Sequence, residues 1–104
     1  MAKRSNRQKI IMKSVGQAVK EVRKKKNITQ EKLAKETGMS AISISSIERG
    51  LANPTIGILN DIAKGLNTSV LAFFIFSFNR EDATNKDAYD FTMPSVKELI
   101  LAII

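Results

Sequence analysis

From Ile11 onward, apolar side chains return at helical spacing. Ile11, Val15, Ala18, Val19 and Val22 share one face, while Lys13, Lys20 and Lys24 are turned elsewhere. The pattern predicts a first helix from Ile10 or Ile11 to about Lys26. Lys24, Lys25 and Lys26 then lie at its carbonyl end, where cations are favoured. Asn27 suits a left-handed exit, and Ile28 returns the chain to the core. Residues 1–9, MAKRSNRQK, are polar and basic without periodicity and predict a mobile arm.

Two short helices follow. Thr29 is a good N-cap for the first, with Glu31 favourable in its opening turn. Leu33 and Ala34 are its inward pair, one supplying bulk and the other letting a neighbour approach closely. The helix should stop at Thr37, with Gly38 taking the left-handed conformation of a tight exit. Ser40 then caps a helix over Ala41–Glu48, whose Ile44 and Ile47 point inward and leave Ile42 to face out. Arg49 suits the last turn, and Gly50 ends it. With room only for a turn between them, the two helices must cross steeply, as in a helix-turn-helix.

After the loop LANPT, stiffened by Pro54, a fourth helix opens at Pro54 or Thr55. Ile56, Leu59, Ile62, Ala63 and Leu66 form its stripe, and Gly65 and Asn67 close it. Ser69 caps a fifth helix beginning Val70-Leu71-Ala72-Phe73-Phe74. The expected fold is therefore all-α, a compact five-helix domain over residues 10–78. A polar linker, 79–94, and an apolar tail, 95–104, extend it. Ser95 after Pro94 caps that tail, which carries Val96, Leu99, Ile100, Ile103 and Ile104 in helical register. It packs either on its own domain or against a second subunit beside Leu71, Ile75 and Phe78. Alternatively, FIFSF and the segment around AYDFT pair as short strands.

The motifs ITQEKLAKETGMS, ISSIERG and NPTIGILNDIAKGLNTSVLAFF resemble the lambda-repressor/Cro-like, or XRE-type, helix-turn-helix domains. The resemblance runs from about Val15 to Phe74 and leaves both ends of the chain outside it. It implies a DNA-binding domain in which one helix lies across the backbone and the next enters the major groove. It implies close helix packing at Gly16 and a core completed by Val70, Phe73 and Phe74. It also implies a pair between Arg23 and Glu48 that braces the reading helix and leaves one guanidinium N–H for a phosphate.

Composition sharpens this expectation. The chain carries a net charge of +7 that is unevenly spread. Residues 1–50 hold 13 lysines and arginines against four acids, and residues 51–104 hold four against six. A basic front half bearing the motif suits a phosphate-binding face, whereas charge alone fits a solvated lysine surface equally well. Lys3, Arg4, Arg7 and Lys9 of the arm either follow phosphates or a minor groove, or only keep the terminus soluble. Hydrophobic residues at 43% allow a real core. Cys and His are both absent, which removes disulfides, zinc fingers and the commonest general base. No catalytic residues, metal ligands or cofactor are expected. The carboxylates Glu81, Asp82, Asp87 and Asp90 lack the glycine and terminal glutamate of a calcium loop. The longest apolar run, Val70–Phe76, falls far short of the roughly 18 residues of a membrane span. A soluble, cytoplasmic protein is expected, with no signal peptide.

By the resemblance, Gln30 and Ser40 contact phosphates from the starts of their helices. Ala41, Ile42, Ser45 and Ser46 face base edges, and Arg49 and Asn53 reach the backbone again. None of the four base-facing side chains can make a bidentate pair with adenine or guanine. Ile42 and Ala41 suit thymine methyls, so direct readout should be modest and DNA shape should carry more of the specificity. The expected function is a sequence-specific transcriptional regulator, a repressor that binds double-stranded DNA as a homodimer on a near-palindromic operator. Alternatives are an antitoxin holding its toxin through the tail, a restriction-system controller, or an interaction module that has lost DNA binding.

Overall fold

Four of the helices end on a residue held in the left-handed region, and three of these close in the same way. The structure, a computed structural model, describes residues 5–78 of the chain. Within them five α-helices follow one another: α1 Asn6–Lys25, α2 Gln30–Thr37, α3 Ala41–Glu48, α4 Ile56–Gly65 and α5 Val70–Phe78. Asn27, Gly50 and Asn67 sit at φ 56°, 73° and 55° just past α1, α3 and α4. In each case the next amide closes back on a carbonyl of the last turn: Ile28 on Arg23, Leu51 on Ser46, Thr68 on Ala63. These are Schellman closures, which satisfy carbonyls that a helix end otherwise leaves open. The starts are equally defined. Thr29, Ser40 and Thr55 each accept a backbone N–H from three residues on, at 3.1, 3.0 and 3.1 Å.

The first helix begins earlier than the apolar pattern predicts. Ser5 accepts from the amide of Gln8 while the Gln8 side chain accepts from the amide of Ser5, a capping box. Residues 6–9 are thus helical, and Arg7 and Lys9 stand on α1 instead of in an arm. Periodicity missed this turn because it buries nothing; Arg7, Gln8 and Lys9 are all exposed. One position is also shifted in the stripe. Met12, at 7% exposure, takes the inward place predicted for Ile11, which is 43% exposed.

The core lies where α1 meets α3 and α5, and where α2 meets α3 and α4. Val19, Leu33, Ile44, Ile62, Leu66 and Phe73 are its largest fully enclosed side chains, each worth about 1.5–3 kcal/mol of burial. Val70 and Phe74 pack at its edge. Ile56 does not join it. At N1 of α4 it is 72% exposed, since the inward stripe starts only at Leu59. Residues 74–78, FIFSF, continue α5 as helix, which excludes the strand pairing. Among the described residues there is no strand, and no helix is long and apolar enough to cross a membrane. Leu71 and Ile75 of the expected interface are half-buried. The Phe78 side chain, Leu99, Ile100 and Ile103 lie outside the described residues, as do the linker and tail.

Candidate nucleic-acid interface

The corner between α2 and α3 rests on Gly38, at φ 73°. No atom would crowd a β-carbon there, so it is the dihedral alone that favours glycine. Thr37 tightens the exit, its hydroxyl donating to the Leu33 carbonyl at 2.8 Å and accepting from the Met39 amide at 3.3 Å. Ser40 then starts α3. Its hydroxyl donates to the Ser43 hydroxyl oxygen at 2.9 Å and accepts the Ser43 amide, so the Ser43 O–H is the one left to offer outward. Ser43 was not among the expected contacts. The Ser-x-x-Ser spacing, which places the two hydroxyls on one side of the first turn, was the signal available.

On α3, Ile44, Ile47 and Glu48 are buried and Ile42 is 78% exposed, so the isoleucine faces outward as expected. Ser43 is exposed beside it, and Ser45 and Ser46 are half-buried on the flanks. Ala41 is less available than expected, being partly buried against the core. Arg49 is exposed and falls two turns after Ile42, on the same line along the helix. Asn53 is exposed in the loop, beside a small cleft formed with Arg7, Gln8, Ile11 and Met12.

Behind this surface a network fixes the pose of α3. Arg23 donates from Nε to Glu48 Oε2 at 2.6 Å and from Nη2 to Glu48 Oε1 at 3.0 Å. Arg23 and Glu48 are 8% and 5% exposed. The fork expected from the resemblance is present, and a third N–H is also engaged: Nη1 donates to the Ile28 carbonyl at 2.7 Å. Three of the five guanidinium N–H groups are thereby used, and one remains on each of Nη1 and Nη2. Gln30 joins the same carboxylate, its Nε2 donating to Glu48 Oε1 at 3.0 Å. One amide N–H of Gln30 is therefore used internally and one remains for a ligand at the start of α2. Among the described residues no cluster of acids could hold a metal ion.

The comparisons with known proteins agree with this geometry. A helix-turn-helix family model matches residues 19–73. An HTH-type transcriptional regulator of Archaeoglobus fulgidus is 40% identical over 58 residues, which is 56% of this chain and 82% of that protein. The immunity repressor protein of Bacillus phage phi105 is 36% identical over 59 residues, 57% of this chain but only 41% of the repressor. The crystal structure of the restriction-modification controller protein C.Esp1396I superposes with a TM-score of 0.61 at 37% identity, over 65% of this chain and 90% of the controller.

Proposed function

This chain belongs to the XRE-type helix-turn-helix family of transcriptional regulators, and from that premise we propose that it is a sequence-specific repressor acting as a homodimer on a near-palindromic operator. The observation that carries the reading is the outward face of α3. There Ile42, 78% exposed, stands among Ser43, Ser45 and Ser46 on a helix braced from behind by a buried ion pair. Ile42 meets thymine methyls, while Ser43, Ser45 and Ser46 make single hydrogen bonds. The second N–H of Gln30 and the O–H of the Ser40–Ser43 pair hold phosphates at the helix starts. Two copies would place their α3 helices about one DNA turn, roughly 34 Å, or a multiple of it, apart.

A restriction-system controller is the second reading, favoured because the match spans 90% of a controller's length. Both readings use the same DNA face and differ in the genes they govern. Selection of preferred sites from a random duplex pool, with mass measured in solution on the selected site, tests the shared core. Recovery of a two-fold site bound by two chains supports it. Failure to enrich any sequence, or one chain per site, opposes it.

A further inference from the structure

A groove of about 350 Å³ runs between α1 and the C-terminal end of α3. Lys13, Lys20, Lys24 and Arg49 line it, with Glu21 and Glu48. Of the two carboxylates, Glu48 is already neutralised by Arg23 and its side chain is 1% exposed, which leaves Glu21 against the four cations and the open part of the groove positive. All four cations are solvent-exposed. The three lysines share one side of α1, and Lys13 and Lys24 stand roughly 16 Å apart along it, a row that can serve more than one phosphate in succession.

The location matters as much as the charge. Arg49 closes the outward line of α3 that Ile42 opens, so the groove begins where the reading face ends. Gly50 holds this edge of α3 against α1, since a β-carbon on it would stand 2.7 Å from the Lys13 Cα. Helix α3 is about 12 Å long, close to the width of about 12 Å of the major groove, so lying across that groove it would bring each of its ends beside a sugar–phosphate wall. The contacts assigned to Gln30, Ser40 and Ser43 account for the wall at its start, and of the residues expected on the backbone only Arg49 and Asn53 lie past its end.

We propose that this groove is a phosphodiester site in which Lys13, Lys20 and Lys24, with Arg49, grip the DNA backbone at the C-terminal end of α3. The proposal rests on the DNA-binding reading for its ligand. The shared chemistry is a run of phosphate esters, which a free polyphosphate also offers. The test therefore has two arms.

In the first arm, duplex binding is measured across a salt series for the full chain, for Lys13→Gln/Lys20→Gln/Lys24→Gln, and for Lys35→Gln/Lys64→Gln, which removes exposed lysines outside the groove. In the second, sodium triphosphate is titrated while backbone amide shifts are followed at residues 13–24 and 49. Thermal melting checks that each variant is folded. The groove variant should bind every duplex more weakly and flatten the slope of log affinity against log salt by about 2, at about 0.9 per phosphate lost, with its ranking of sites unchanged. The control should keep most of its slope. If the full chain binds duplex and the groove variant keeps the full slope, the proposal is overturned while the regulator reading stands. If the chain takes up no duplex but triphosphate shifts the groove amides, and does so only with the lysines present, the groove stands as a free-anion site and the DNA reading falls. Binding of neither ligand overturns both.

Discussion

Gly16 on α1 lies so close to Ile47 on α3 that a β-carbon there would collide with the Ile47 carbonyl oxygen, and would stand 3.1 Å from that of Glu48. The obstacle is backbone, which cannot rotate aside. In an ordinary helix interior, Gly→Ala stabilises by roughly 0.5–1 kcal/mol. Here Gly16→Ala should instead destabilise by about 1–3 kcal/mol, as overpacking does. In a domain of this size that lowers the melting temperature by about 4–8 °C per kcal/mol. Because α3 is the element displaced, duplex affinity should fall along with stability. Calorimetric melting checks the first effect; a rise in melting temperature would show that α1 and α3 are not held at this spacing.

The Arg23–Glu48 pair yields a second expectation. Both side chains are nearly enclosed, at 10% and 1% exposure, so removing one partner strands the other. Arg23→Met should cost about 3–5 kcal/mol by leaving the Glu48 carboxylate with Gln30 alone. Arg23→Met/Glu48→Leu should recover much of that loss, since an apolar pair of similar volume removes the stranded charge. Urea unfolding of the two single variants and the double variant measures the coupling. Additive losses would mean that the two groups act independently.

Much of this was legible in the sequence because the signals are local. Thr29, Ser40 and Thr55 cap their helices, and Asn27 and Gly50 close theirs, since each acts through bonds within a few residues. The inward places of Leu33, Ile44 and Ile47 follow from spacing alone, and that of Phe73 from the family pattern. What was not legible depends on tertiary neighbours. Nothing in the sequence shows that a third N–H of Arg23 reaches Ile28, or that Gln30 gives a hydrogen to Glu48. Ile11 and Ile56 read as core because they are apolar and near the register, yet each lies at the margin of its stripe where no helix covers it. The early start of α1 was readable in Ser5-x-x-Gln8, but a basic composition suggested an arm.

Gln30 serves two partners, and its variants separate them. Gln30→Ala removes the bond to Glu48 and the N–H left for a phosphate. It should cost roughly 0.5–1.5 kcal/mol of stability and weaken all duplex sites alike. Gln30→Glu places a second carboxylate against Glu48 Oε1, so it should lose more of both. Ser46→Ala should instead leave stability and salt dependence nearly unchanged while altering site preference. Affinity measured on several sites, alongside melting curves, distinguishes the pattern. Equal loss of specificity from Gln30→Ala and Ser46→Ala would contradict the roles given to them.

Ile42 offers a test that can be read on both partners. At 78% exposure it supports little of the fold, so Ile42→Ala should change stability by less than about 0.5 kcal/mol. In the complex its side chain should cover a thymine methyl, which contributes about 0.8 kcal/mol, or roughly fourfold in affinity. Replacing that thymine by deoxyuridine removes the methyl without touching any hydrogen-bonding group. The unaltered chain should lose about fourfold on that replacement at one position per half-site, whereas Ile42→Ala, already lacking the contact, should lose almost nothing. If both proteins lose the same amount at every position, the methyl is read by another residue and Ile42 does not enter the groove.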